Sequence, residues 1–197
     1  MIVALNESKV AETENLVRRV FPWQNPLERM FYWAWRRRRQ SAVRLLLRLV
    51  GISAIDDTWV YLNDSGKVCG TIGLYARTED ESEARWVSWF CVDPETRGQG
   101  IGKSLLTHLI GVARSRGYKY LRLYTGSDPD EAAAQLLYES RGLRETRRKP
   151  FLFAPYDKIW RELELDAEDG SELTDCESKY GLNTKTDVSS YSAQGED

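Results

Sequence analysis

Apolar and polar positions along this chain switch repeatedly between helical spacing and the alternating or β-branched pattern of strands. The opening "MIVALN" predicts a short strand, and residues 8–20 a first helix with Ser8 as its cap. Two prolines in "FPWQNP" interrupt the pattern, and residues 27–50 then read as one helix ending at Gly51. Strands are expected over 58–63 and 67–76, joined by the turn "NDSG". Another is expected over 84–93, "ARWVSWFCVD", rich in aromatic and β-branched residues. In "IGKSLLTHLIGVARSRG", Leu105, Leu106, Leu109, Ile110 and Val112 recur at helical spacing. A strand over 119–126, a helix over 130–143 and two strands in "LRETRRK" and "YDKIWRELEL" complete the series. This β-α-α-β-β-β-α-β-α-β-β order argues a mixed α/β domain, and the chain contains no internal repeat.

Composition narrows the picture. The chain has 197 residues, 42% of them hydrophobic, which suits one core and one domain. No apolar run approaches the ~20 residues of a membrane span, and the N-terminus lacks the basic start and long apolar stretch of a signal peptide. Three cysteines, Cys69, Cys91 and Cys176, are odd in number and show no metal-ligand spacing, so reduced thiols in a cytoplasmic protein are expected. The net charge of -2 conceals an asymmetry. Residues 166–197 hold nine acidic residues and two lysines, a charge of -7, leaving +5 on residues 1–165. The division expected is therefore a folded domain over 1–165 and a flexible acidic tail over 166–197. A mildly basic body is compatible with an anionic ligand.

A glycine-rich stretch supplies a candidate anion site. "TRGQGIGKSLL", residues 96–106, comes close to two nucleotide loops and misses each by one glycine. The triphosphate loop G-x-x-x-x-G-K-[ST] fits Gly102, Lys103 and Ser104 but has Arg97 where its first glycine belongs. The dinucleotide pattern G-x-G-x-x-G fits Gly98 and Gly100 and then meets Lys103. What remains is R-x-x-G-x-G between a strand and a helix. The free N–H groups and positive dipole end of that helix attract an anion, and glycines let the anion reach the backbone.

This arrangement resembles motif A of the GNAT superfamily of acetyl-CoA-dependent N-acetyltransferases, in which [Q/R]-x-x-G-x-[G/A] lies between the fourth strand and the third helix. The segment "DEAAAQLLYESRGL" is similar to the family's motif B, and together the matched segments span roughly residues 66–165. The resemblance implies a central mixed sheet of about seven strands flanked by helices and splayed between strands four and five. It implies that Arg97, Gly98, Gln99, Gly100, Ile101, Gly102, Lys103 and Ser104 cradle the CoA pyrophosphate. Phe90, Cys91 and Val92 would line the acyl-CoA arm through unpaired strand backbone, where an exposed amide can also polarise the thioester carbonyl. Tyr138 would protonate the leaving thiolate, a role that suits a phenol protonated at neutral pH. Glu131 stands where many members have an asparagine touching the pantetheine arm, so that contact departs from the family pattern.

Other candidates are fewer. The one histidine, His108, lies off the leucine face of its helix and is expected at the surface, which disfavours a histidine triad or metal site. On the last helix, Ala133, Leu136 and Leu137 are expected to form the apolar face, with Tyr138 projecting away from it. Trp86, Ser88 and Phe90 share one face of a regular strand and offer no general base; Glu83 and Asp128 lie further out. Cys91, in an apolar strand, reads as packing. Four successive arginines, Arg36 to Arg39, exceed one helical turn and cannot share a face. Three readings stay open for them: a solvated face with stems packed on Trp33 and Trp35, an anionic group on the acceptor, or a nucleic-acid or membrane surface.

The function expected is direct transfer of an acetyl group from acetyl-CoA, as co-substrate and without a metal, to a primary amine of a small molecule or protein. A membrane partner is not expected, nucleic acid is disfavoured, and a homodimer is open. The alternatives are a CoA-binding regulatory module without turnover and an interaction protein working through the arginine-rich helix.

Overall fold

The computed structural model describes residues 1–22, 24–151 and 155–165; the acidic tail expected over 166–197 lies outside the described residues. Strand β1 (Ile2–Ala4) leads into α1 (Glu7–Val20), followed by α2 (Pro26–Arg29), α3 (Phe31–Arg37) and α4 (Ser41–Leu49). Then come β2 (Ile52–Leu62), β3 (Val68–Arg77), β4 (Ala84–Val92), α5 (Ile101–Ser115), β5 (Tyr120–Gly126), α6 (Ala132–Ser140), β6 (Arg144–Pro150) and β7 (Asp157–Glu164). The strands form one seven-stranded mixed sheet in the order β1-β2-β3-β4-β5-β7-β6, with β4 and β5 parallel.

Helices cover both faces of this sheet. On one, Leu105, Leu106 and Leu109 of α5 pack with Ile72 and Leu74 of β3 and Leu121 of β5. On the other, Val10, Leu16 and Val17 of α1 and Tyr32 and Trp35 of α3 pack with Val60 and Val68. Strand β3, enclosed on both faces, is buried along nearly all its length instead of alternating.

The stretch expected as one helix over 27–50 is three short ones. Its apolar residues run from Leu27 through Trp35 to Leu49 and do not lie on one stripe, so a straight helix would leave much of the set in water. Breaks at Met30 and at Arg38–Gln40 let α3 bury Tyr32, Ala34 and Trp35 while α4 packs on β2 through Val43. No glycine or proline inside 27–50 announces those breaks. The first helix begins one residue earlier than expected, with Asn6 as its cap; Ser8 donates its hydroxyl to the Asn6 side chain at 2.6 Å.

His108 is not a surface residue. It is half-buried, edge-on to Trp59 with ring centroids 5.4 Å apart, and its Nε2 is buried without a hydrogen-bond partner among the described residues. Burial pulls its pKa below the usual imidazole range. A wheel drawn from leucines alone missed this because β2 brings an indole up against the flank of α5.

Candidate active site

The parallel ladder between β4 and β5 covers only Ala84–Tyr120, Arg85–Leu121 and Trp86–Arg122. Past Trp86 the two strands separate, while β4 stays paired to β3 as far as Val92. The β5-facing edge of residues 87–92 therefore has no strand to bond with, and it opens into a cleft of about 1830 Å³. Ligand pockets commonly hold about 300–1,000 Å³, so this cleft has room for two ligands.

A bulge re-aims the side chains along that edge. Thr71 pairs with Cys91 and Gly73 with Ser88, so β4 carries one more residue than β3 in this interval. Within it, Trp89 has φ 39°, the one positive φ outside glycine among the described residues. Simple alternation would put Phe90 beside Trp86 and Ser88, as the sequence suggests. Instead Val87, Phe90 and Val92 face α5 and α6, while Trp89 and Cys91 face α1 and α3. Phe90 thereby meets Tyr138, with ring centroids 6.0 Å apart.

The loop after β4 is anchored by Asp93, a residue that sequence reasoning passed over. Its buried carboxylate accepts from the Glu95 N–H at 3.2 Å and from the Arg19 guanidinium at 2.7 Å. The string "DPET" held the signal, since Asp before Pro begins such turns through its own side chain. Beyond it Gly98 and Gly100 adopt φ 79° and 76°, in the left-handed region that suits glycine. A side chain at either would find nothing within 4 Å, so both face open space. Gly100 is the N-cap of α5, and its carbonyl accepts the first helical bond from the Ser104 N–H at 2.9 Å. The N–H groups of Ile101, Gly102 and Lys103 have no acceptor within the helix, and helix ends of this kind attract anions.

Of the predicted loop residues, Arg97, Gly98, Gly100, Ile101, Gly102 and Lys103 line the cleft, whereas Gln99 and Ser104 do not. The Ser104 hydroxyl turns back onto the Gly100 carbonyl at 3.1 Å. Ile101 is buried in the core, so only its backbone faces the cleft side. Phe90, Cys91 and Val92 also line the cleft. Burial pushes the Cys91 thiol up to about 12, which keeps it neutral and poorly nucleophilic.

Tyr138 is the buried residue of α6, at 6% exposure, while Leu136 is 69% exposed. The helix is thus rotated from the orientation expected, in which Leu136 packed and Tyr138 projected away. A buried arginine from a distant strand sets the rotation. Arg161 of β7 donates to Gln135 at 2.8 Å, to Glu139 at 2.7 Å and to the Leu143 carbonyl at 3.1 Å. Holding positions 135 and 139 toward β7 swings Tyr138 toward β4. Burial, then the nearby Glu131 carboxylate, raise the Tyr138 phenol well above its usual range, so it stays protonated.

Glu131 lines the cleft beside the end of β5, where it accepts from the Thr125 hydroxyl and from the Gly126 N–H at 3.0 Å. Burial raises its pKa, and Asp128 adds to the effect. Asp128 lines the cleft too. Glu83 does not: it sits at the other end of the sheet, 3.2 Å from Arg122. Ser88 lines the cleft with a buried hydroxyl that has no partner among the described residues. The opposite end of the cleft is apolar, with Leu27, Met30, Trp33, Leu46 and Val50 at its mouth. None of Arg36 to Arg39 lines it. Arg37 and Arg38 lie over the rings of Trp33 and Trp35 at 5.1 and 4.1 Å, and Arg36 pairs with Glu7 at 3.2 Å. Packing of arginine stems on these two indoles is the reading this favours over a cleft-facing guanidinium.

Residues 10–143 match the profile of the Acetyltransferase (GNAT) family, more than half of the chain. The chain belongs to that family. Its sequence is 35% identical over 85 residues to [Ribosomal protein bS18]-alanine N-acetyltransferase of Escherichia coli K12, covering 43% of this chain and 56% of that protein. It thus spans little more than half the length of the curated relatives it matches. The crystal structure of the ribosomal-protein-S18-alanine N-acetyltransferase from Escherichia coli superposes with a TM-score of 0.61 at 21% identity, over 88% of this chain and 97% of that one. A Salmonella typhimurium acetyltransferase solved with its cofactor acetyl-CoA superposes with a TM-score of 0.62 at 20% identity, over 86% and 95%. At such identities these structures establish the shared GNAT fold.

Proposed function

We propose that the protein is an N-acetyltransferase that moves an acetyl group from acetyl-CoA directly to a primary amine. One observation carries this reading. The unpaired edge of β4, the glycine-built N-terminus of α5 and the Tyr138 side chain all line one cleft. The open space over Gly98 and Gly100 fits a pyrophosphate, which the N–H groups of residues 98–103 would bind. The arm's amides would bond to the free edge at Phe90, Cys91 and Val92, as an added strand does, with Glu131 as the contact from the α6 side.

The chemistry asked of the protein is modest. An amine nitrogen attacks the thioester carbonyl, whose developing negative charge is met by a backbone N–H of the β4 edge. As the C–S bond breaks, Tyr138 gives its proton to the sulfur; the amine loses its extra proton to solvent, and the phenolate takes a proton back from solvent. The neutral Cys91 thiol supports direct transfer over an acyl-enzyme. Holding both reactants in one cleft supplies the remainder by proximity.

The acceptor proposed first is the N-terminal amine of a peptide beginning with alanine, by analogy with the relative named for that substrate. The test is release of free CoA from acetyl-CoA against a panel of amines including such a peptide and small polyamines. Turnover with any primary amine supports the enzyme, and preference among them names the acceptor. Tight CoA binding with no turnover on any amine would mean a binding module instead.

A further inference from the structure

Helix α4 leaves unused the surface on which a helix of its composition normally depends. It buries only Val43, while Leu45 is 63%, Leu46 55%, Leu49 76% and the following Val50 50% exposed. At 100° per residue, Leu45, Leu49 and Leu46 occupy one arc, Arg44 and Arg48 border it, and Val43 and Leu47 point the opposite way onto β2. Leu45 and Leu49 do not line the cleft, so substrate binding does not account for them.

The charge along the segment that carries this stripe is one-sided. Between Pro26 and Val50 stand seven arginines and one glutamate, a net of +6. Arg36 and Arg48 have carboxylate partners, Glu7 at 3.2 Å and Glu81 at 3.8 Å. Arg37, Arg39 and Arg44 have none among the described residues and are exposed. Trp33, 39% exposed, adds an amphipathic ring beside Arg37.

We propose that α4 and the arginine run before it dock the protein on an anionic lipid surface. The leucine stripe enters the boundary between headgroups and acyl chains, the arginines meet lipid phosphates, and Trp33 sits at headgroup depth. The pairing of aliphatic stripe and cationic border selects this occupant. Nucleic acid would use the arginines but gains nothing from four exposed aliphatic side chains, since its bases stack on rings. A second copy docking through the same face would bring two arginine clusters together. Among the described residues no helix is long and apolar enough to cross a membrane, so the contact is peripheral. Because Leu46 and Val50 also line the cleft mouth, docking brings that mouth to the surface. The inference does not depend on the reaction proposed above.

The experiment is co-sedimentation of the full chain with vesicles of phosphatidylcholine alone or mixed with phosphatidylglycerol. Binding should require phosphatidylglycerol and weaken as salt is raised. The double change Leu45→Asp/Leu49→Asp should abolish it. Arg39→Gln/Arg44→Gln should weaken it about 25-fold, about fivefold for each arginine removed from the surface. CoA affinity and thermal midpoint should stay those of the parent in both variants, which separates lost docking from lost folding. The proposal is overturned if the parent ignores anionic vesicles, or if the two leucine changes leave sedimentation intact. It is equally overturned if vesicle binding is absent while the protein binds an RNA oligonucleotide, or forms a dimer that the leucine changes dissolve.

Discussion

Helices α4 and α5 start from the same local pattern and meet opposite fates. Each is leucine-rich and amphipathic, and each packs against the central sheet. Yet α5 buries Ile101, Leu105, Leu106, Leu109, Ile110 and Ala113, whereas α4 buries Val43 alone. The difference lies in where the sheet can receive them. Helix α5 crosses β2, β3 and β4 near the middle of the sheet, while α4 lies along β2 toward its edge. An amphipathic pattern states that a helix has an apolar side; it does not state what, if anything, covers that side. The two helices also serve different ends of the cleft. The N-terminus of α5 belongs to the proposed CoA end and is braced by core, and α4 forms part of the open, apolar mouth.

That contrast predicts large effects near α5 and small ones on α4. The largest is expected at Tyr138, which faces β4 close to the start of α5. Tyr138→Phe keeps the ring against Phe90 and removes only the hydroxyl, so turnover should fall by about 10²–10⁴ with CoA affinity little changed. Single-turnover kinetics would check it; parent-like rates with chemistry limiting would reduce Tyr138 to packing.

Core packing comes next. Leu109→Ala, at a site with no exposure, should cost about 2–5 kcal/mol in denaturant unfolding. A loss under about 1 kcal/mol would mean α5 is less tightly braced than the contrast requires.

At the N-cap of α5 the cost is smaller and more selective. Gly100→Ala forces a side chain into φ 76° and should destabilise by about 1–2 kcal/mol. Nothing within 4 Å would clash, so the fold should persist while CoA affinity drops. Calorimetry showing unchanged affinity would move the pyrophosphate site elsewhere.

His108 gives α5 a pH dependence that α4 lacks. With the folded pKa pulled down by burial, the unfolded chain binds more protons as pH falls from about 6.5 toward that lower value. The imidazole's contribution is therefore complete above that window and lost on descending through it. The thermal midpoint should drop more between pH about 7.5 and about 5.5 in the parent than in His108→Phe. Parallel curves would show that the ring is not effectively desolvated.

The smallest effects belong to α4 and the run before it. Leu49→Ala and Arg39→Ala, both exposed, should lie within about 0.5 kcal/mol of the parent in stability and leave acceptor KM unchanged. A raised KM in Arg39→Ala would put that arginine at the acceptor after all.

Much of this organisation was written in the sequence. Strand, glycine turn and helix succeed one another around residues 84–115 because the signals involved are local: β-branched and aromatic richness, glycines ahead of a cap, leucines at helical spacing. The element order led to a mixed sheet, and the glycine motif led to the family, since both are read within a few residues of chain. Span length, however, tests insertion into a membrane and says nothing of adsorption to one; no membrane partner was expected, a membrane surface being only one open reading of Arg36 to Arg39, and the docking proposed for α4 departs from that expectation.

The tertiary structure decided everything that depends on a neighbour distant in sequence. The bulge at Trp89 changes which side of β4 Phe90 occupies, and it arises in the pairing with β3. Arg161, more than twenty residues beyond Tyr138, fixes the rotation of α6 by holding Gln135 and Glu139. Helix α6 itself, "AAAQLLYES", has too little contrast between its faces to choose an orientation alone. The run over 27–50 breaks into short helices as α3 packs on α1 and α4 on β2, two contacts that one straight helix would not make together. Local pattern sets which elements form, since propensity and periodicity act within a turn or two. Rotation, register and burial are set by energies between elements, which exist only once the chain has folded back on itself.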